Sequence, residues 1–199
     1  MRLTKYTHSC VRLEIDGVVL VIDPGTWSEA YALPGCDAVL VTHEHTDHID
    51  VLRLKGLSVP VYAPADAEIS GLDNLRRVHP GTRFTAAGVE ITATGGQHAS
   101  VVPGQRACAN LGYIVSDLLY HPGDSLALPG QPVQTLLVPM QAAWLKTSEA
   151  IAFVQAISPE RAFGIHDAQI NERGLSSING WLSGTAGETY RWLAPGQQA

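Results

Sequence analysis

The chain has 199 residues, 45% of them hydrophobic and 16% charged, with a formal net charge of −6. This length and apolar share can build the core of one domain, spanning 1–199, without external staples. The acidic balance and the absence of any Lys/Arg cluster remove the electrostatic footprint of a nucleic-acid binder. Cys10, Cys36 and Cys108 are odd in number, scattered and without a C-x-x-C pair, which disfavours a disulfide framework or a cysteine zinc knuckle.

The opening segment MRLTKYTHSCVRLEIDG alternates polar and apolar residues and lacks both the apolar stretch and the small-residue cleavage site of a signal peptide. No window approaches the roughly 18 apolar residues of a membrane span, so the sequence predicts a cytoplasmic protein with no membrane partner. Strands are predicted at Arg2–Thr7, Val11–Ile15 and Val18–Ile22, the last two joined by Asp16-Gly17, a strong hairpin signal. Further strands are expected at Ala38–Val41, Val59–Tyr62, Val89–Thr94, Leu111–Ser116, Leu118–Tyr120, Thr135–Val138, Ala162–Ile165 and Thr189–Leu193. Helical periodicity follows Asp47 and recurs over Ala65–Leu72, Thr147–Ile157 (capped by Thr147 or Ser148) and Leu175–Leu182. Two runs of strands, each followed by helices, predict an α/β fold of two face-to-face sheets with helices outside, a four-layer αββα sandwich. The boundary between halves is expected near Gly104 and the tail Ala194–Ala199 is expected to fray.

Chemistry concentrates in VLVTHEHTDH, Val39–His48, where an apolar β-branched strand runs into three histidines and two carboxylates. His43 and His45 stand two apart, on one side of an extended segment, whereas Asp47 and His48 begin a helical turn and face a neighbouring position. A catalytic metal needs more ligands than one loop supplies. His98, Asp124 and His166 each stand just past a predicted strand, where a layered α/β fold brings loops to a common edge. A solvent-exposed polar turn would not need three imidazoles within six positions. A serine or cysteine nucleophile at Ser9, Ser100 or Cys108 is disfavoured, because none has a paired base that is not already committed to metal.

THEHTDH resembles the H-x-H-x-D-H signature of the metallo-β-lactamase superfamily, and the later residues follow in that family's order over essentially the whole chain. Ile22-Asp23-Pro24-Gly25 is similar to the family's early Asp after the first hairpin. The resemblance implies one metal held by His43, His45 and His98, a second by Asp47, His48 and His166, and Asp124 bridging. It further implies two divalent ions, zinc first with manganese or iron as alternatives, that activate a shared hydroxide against a small ester, lactone or phosphodiester. Asp47 and Asp124 are then the catalytic carboxylates, Asp47 orienting the nucleophile. His8-Ser9-Cys10 and Tyr120-His-Pro-Gly-Asp124 look most like the small branch containing L-ascorbate-6-phosphate lactonase.

Other branches fit less well: exported zinc β-lactamases would have Cys at 124, and the di-iron oxygen-reducing branch would have Glu at 45 and a flavin domain. No nuclease cap or glutathione-thioester hydrolase helical domain is present. A metal-binding scaffold without turnover and a di-iron redox protein remain the competing readings, and homo-oligomerisation is left open. Asp23 is expected to brace the metal loop by hydrogen bonds rather than bind metal. His8 and His121 divide evenly between cleft-facing and core roles, and His79, in a His-Pro-Gly turn, is expected at the surface. Trp27 and Trp144 are read as pocket walls or core caps, with pocket favoured for Trp144 because Lys146 nearby could meet an anionic group.

Overall fold

The computed structural model describes residues 1–104 and 107–199. The first sheet runs in chain order through β1 (Arg2–Lys5), β2 (Val11–Ile15), β3 (Val18–Ile22), β4 (Ala38–Leu40), β5 (Val61–Pro64) and β6 (Leu75–Val78). β1 to β3 are an antiparallel meander, and β3 to β6 are parallel. The second sheet runs through β7 (Arg83–Ala86), β8 (Val89–Gln97), β9 (Ala109–Val115), β10 (Leu119–His121), β11 (Thr135–Pro139), β12 (Arg161–Ile165) and β13 (Tyr190–Arg191). It repeats the same plan, antiparallel through β10 and parallel beyond it.

Period-two alternation explains the layering. Leu20, Ile22 and Leu40 point between the sheets and meet Ile91, Leu111, Tyr113, Leu137 and Phe163. Val21, Val39 and Val41, one residue out of phase, face the opposite side and pack beneath Leu33, Ile49, Leu54, Ile69 and Leu72. On the far face of the second sheet, Ile114, Tyr120, Leu136 and Val138 meet Ala150, Phe153 and Val154 of α2 (Thr147–Ile157) and Leu182 of α3 (Glu172–Ala186). The four-layer sandwich is therefore present, with an unequal outer cover: among the described residues the first sheet carries the short α1 (Val51–Leu54), one 3-10 turn at Ala30–Ala32 and irregular chain.

Several local expectations are corrected. Ala65–Leu72 is not helical, because the Arg77 guanidinium binds the carbonyls of Pro64, Ala67 and Ile69 at 3.2, 2.6 and 2.8 Å, removing acceptors a helix would use. The two sheets divide between Val78 and Arg83 rather than near Gly104. Both flanking strands, LRRV and RFTA, are edge strands whose arginines obscure the β pattern, a common defence of exposed edges. The tail does not fray: Leu3 N–H donates to the Ala199 carbonyl at 2.9 Å and Lys5 N–H to the Gln197 carbonyl at 3.0 Å, so it pairs with the β1 edge. α2 is capped from Lys146, whose N–H donates to Glu149 Oε2 at 2.8 Å, rather than from Thr147 or Ser148.

Candidate metal centre

All seven predicted ligand residues converge at one edge of the sandwich, delivered by strand ends. His43, His45, Asp47 and His48 lie in the loop after β4; His98 follows β8, Asp124 follows β10, and His166 follows β12. The loop after β4 is held from both sheets. Leu111 N–H donates to the Thr42 carbonyl at 2.8 Å, and the Tyr113 hydroxyl reaches the Val41 carbonyl at 2.9 Å. The Asp23-Pro24-Gly25 turn lies directly against it, with Asp50 N–H donating to the Pro24 carbonyl at 3.0 Å. A Cβ on Gly25 would stand 1.8 Å from the Asp47 carbonyl oxygen, so only glycine allows this approach.

The hydrogen bonds on the far sides of the imidazoles decide which nitrogens are bare. His48 Nδ1 donates to Asp23 Oδ2 at 2.6 Å, His98 Nδ1 to the Ala99 carbonyl at 2.6 Å, and His166 Nδ1 to the Gln141 carbonyl at 2.5 Å. The Thr42 hydroxyl donates to Asp23 Oδ2 at 2.7 Å, which leaves its oxygen to accept from His43 Nδ1 at 3.0 Å. In their neutral forms these four rings carry lone pairs on the Nε2 atoms, which face inward, an arrangement of outer partners that orients metal ligands. His45 presents Nδ1 instead, 3.1 Å from His43 Nε2, and its Nε2 faces the Cys108 thiol at 3.7 Å.

Asp124 lies between the groups. Its Oδ2 is 3.0 Å from His166 Nε2 and 3.2 Å from His98 Nε2, while its Oδ1 is 3.1 Å from His48 Nε2. His48 Nε2 and Asp124 Oδ1 are buried 3.1 Å apart, and neither has any other hydrogen-bond partner. Burial drives the His48 pKa down, but Asp124 and Asp23 outweigh it and raise it well above the usual range. Burial pushes Asp124 up, and His48, His166 and His98 more than offset this to hold it well below. Two buried carboxylates thus demand positive charge at this point, and orphaned polar atoms of this kind call for a bound ion. His43 is held well below its ordinary pKa by burial and then by His48, so it remains neutral. Among the described residues, donor atoms within 4.8 Å of one another form three groups: His43, His45 and His98; His8, Asp47, His48 and His166; and His43, His48 and Asp124. Bare imidazoles plus carboxylates fit divalent cations such as zinc, manganese or iron.

A family model described as the beta-lactamase superfamily domain matches residues 2–166. The chain belongs to the metallo-β-lactamase superfamily. It is 38% identical over 188 residues to Protein Rv0786c of Mycobacterium tuberculosis, covering 88% of this chain and 89% of that protein. It is 30% identical over 192 residues to the UPF0173 metal-dependent hydrolase MK1542 of Methanopyrus kandleri, covering 83% and 84%. Its fold is similar to that of Igni18, a metallo hydrolase from Ignicoccus hospitalis, with a TM-score of 0.77 at 20% identity over 100% of this chain and 97% of that one.

This metallo-β-lactamase superfamily site has further neighbours that the sequence left undecided. His8 is buried and turns into the cleft, its ring 4.0 Å from His166 and 5.3 Å from His48. His121 is a satisfied interior residue: Nε2 donates to the Ser9 carbonyl at 2.9 Å and Nδ1 accepts from Gly123 N–H at 3.1 Å, bracing the turn that aims Asp124. Trp144 stands beside the centre, half-buried, with Nε1 3.4 Å from Asp124 Oδ2 and its ring 6.1 Å from His98. Trp27 stands half-exposed, edge-on to His8 at 4.8 Å. Burial, then Glu44, pushes the Cys108 thiol up to about 11, which keeps it from acting as a thiolate nucleophile. Lys146 and His79 are exposed, and among the described residues no helix is long and apolar enough to cross a membrane. Asp23 braces the loop as expected. A lone histidine in Thr-His-Ser, remote from the main cluster, carries no spacing signal, so the sequence alone does not place His8 at the centre.

Proposed function

We propose that this metal-dependent hydrolase of the metallo-β-lactamase superfamily uses a dinuclear centre to cleave a small ester, lactone or phosphodiester. One observation carries the reading: four buried or half-buried imidazoles have their outer nitrogens bonded to Thr42, Asp23, Ala99 and Gln141, so that their inner nitrogens surround the Asp124 carboxylate. His43, His45 and His98 would hold one ion, and Asp47, His48 and His166 the other, with Asp124 between them. When bound, two divalent ions would polarise the substrate oxygen and supply a hydroxide nucleophile near neutral pH.

The chain's own part is to orient and exclude. Burial raises the Asp47 carboxyl, but the His8 hydrogen bond and the His48 charge bring it down to about 2, so it is ionised and able to orient a nucleophile through its oxygens. The Trp144 N–H points at Asp124 Oδ2, and its ring walls the side of the cleft next to His98 and His166. A substrate lying there is screened from water on that side. The test is a panel of lactones, phosphodiesters, thioesters and β-lactams assayed on metal-reconstituted protein, with metal-stripped protein and Asp47→Ala as controls. Turnover of one class that disappears in both controls is expected. Turnover that survives complete metal removal would sink the proposal.

A further inference from the structure

His8 departs from the other imidazoles of the cleft. It lies between β1 and β2 in the left-handed region, with φ 68°, a conformation that must be held by its surroundings. The segment after β12 holds it at three points. His8 N–H donates to Asp167 Oδ1 at 3.2 Å, its carbonyl accepts from His166 N–H at 3.1 Å, and its Nδ1 accepts from Ala168 N–H at 3.4 Å. Asp167 is in turn fixed by the buried Lys5 ammonium at 2.8 Å and by Trp192 Nε1 at 2.7 Å. The ion pair has additional bonds on both partners, the condition under which a buried pair holds a defined geometry.

A neutral imidazole carries one ring hydrogen. Because Nδ1 of His8 accepts from an amide, the hydrogen sits on Nε2, and that atom lies 3.2 Å from Asp47 Oδ2. This is the reverse of the neutral forms of His48, His98 and His166, whose hydrogen sits on Nδ1 and whose Nε2 is free to hold a cation. Distance alone would admit His8 as a ligand, since its ring nitrogen falls within the same 4.8 Å group as Asp47, His48 and His166. The amide of Ala168 argues the other way.

We infer that His8 is a positioning residue for Asp47: it donates Nε2–H to one carboxylate oxygen, turns the other toward the cation, and gives no ligand atom of its own. The inference rests on the reading of Asp47 as a metal ligand. It also assigns a purpose to the Lys5–Asp167 pair, which fixes His8 from the opposite sheet and so couples the β12 end to the loop after β4.

The first test reads the ring directly, by nitrogen–proton correlation spectra of protein labelled with ¹⁵N-histidine, with and without zinc, His8 being assigned through His8→Gln. The expected result is an Nε2–H tautomer for His8 in both states, with neither nitrogen shifted as a metal-bound atom. A zinc-bound Nε2, or hydrogen on Nδ1, would overturn the inference. The second test is zinc titration against a competing chelator. His8→Phe should weaken the second binding step by about 10- to 100-fold, the usual cost of losing an outer partner, while the first step is unchanged and His8→Gln, which keeps an N–H donor, recovers most of the loss. A His8→Phe protein equal to wild type, or a His8→Gln protein as weak as His8→Phe, contradicts it. If His8→Phe fails to fold, the wild-type spectra decide. If wild type binds a single zinc, the dinuclear reading fails, and the tautomer of His8 still decides this proposal.

Discussion

The two halves of the molecule build the same site by opposite means. The first half sends four candidate ligands, His43, His45, Asp47 and His48, from one loop after β4, whereas the second sends His98, Asp124 and His166 singly from three separate strand ends. A loop that dense cannot orient itself, and it borrows support from Gly25, Asp23 and Thr42. The later histidines need less: each follows a strand whose register is fixed by neighbours on both sides, and a single carbonyl, of Ala99 or Gln141, sets each ring. Damage to the support of the first half should therefore disturb several ligands together, and damage in the second half should disturb one.

The strongest break in that contrast is Gly25→Ala. With 1.8 Å between the added Cβ and the Asp47 carbonyl oxygen, the loop must move, at a cost of about 1–3 kcal/mol or more for overpacking. Both ions should be lost with it; chemical denaturation and metal analysis would check this, and a variant that keeps two ions would show that the loop is self-supporting. Asp23→Asn comes next. It keeps one acceptor oxygen, which can still take Thr42 N–H, but turns the other into an NH2 donor and so loses the two bonds to Oδ2, from the Thr42 hydroxyl and His48 Nδ1. Affinity at the His48 position should fall by about 10- to 100-fold while the trio of His43, His45 and His98 is less affected, as chelator competition would read.

A pH measurement sharpens the same point. In the metal-free protein the His48 pKa is raised well above its ordinary value of 6.5, so its ion pairing stabilises the fold below that value and is lost as pH rises through the folded pKa. Asp124 is depressed, so its contribution is present above its ordinary 3.8 and is lost as pH falls through the folded pKa. At neutral pH a proton on His48 supplies the charge that the cation would supply. Metal uptake should therefore release a proton, and apparent affinity should rise with pH through the neutral range. Calorimetry in buffers of differing ionisation enthalpy would detect the release, and pH-independent uptake without a proton would contradict it. The smallest expected effect is Trp144→Phe, which keeps a wall but loses the N–H near Asp124. Metal content should stay at the wild-type level while KM rises; a loss of metal would move Trp144 from the pocket to the support of the centre.

The contrast also explains what the sequence made legible. The loop after β4 announces itself because its ligands are adjacent, and the β2–β3 hairpin does so through Asp16-Gly17. The dispersed ligands could be found only as residues following apolar runs, joined by a resemblance to a known family. Edge strands β6 and β7 escaped because their arginines break the alternation, and the Ala65–Leu72 segment looked helical because its apolar residues cover the sheet without regular backbone bonds. The tail could not be read at all, since its order comes from pairing with β1 at the other end of the chain. His8 escaped for the same reason: its role depends on residues 166–168, about 160 positions away.

The central claim is that seven side chains form one centre with Asp124 shared between two ions. It is tested most directly by measuring bound metal per chain alongside the hydrolytic rate, in wild type and in Asp124→Asn. Two ions per chain in wild type, with stoichiometry and rate both falling in Asp124→Asn, is the predicted result. Two ions still bound and an unchanged rate in Asp124→Asn would contradict it.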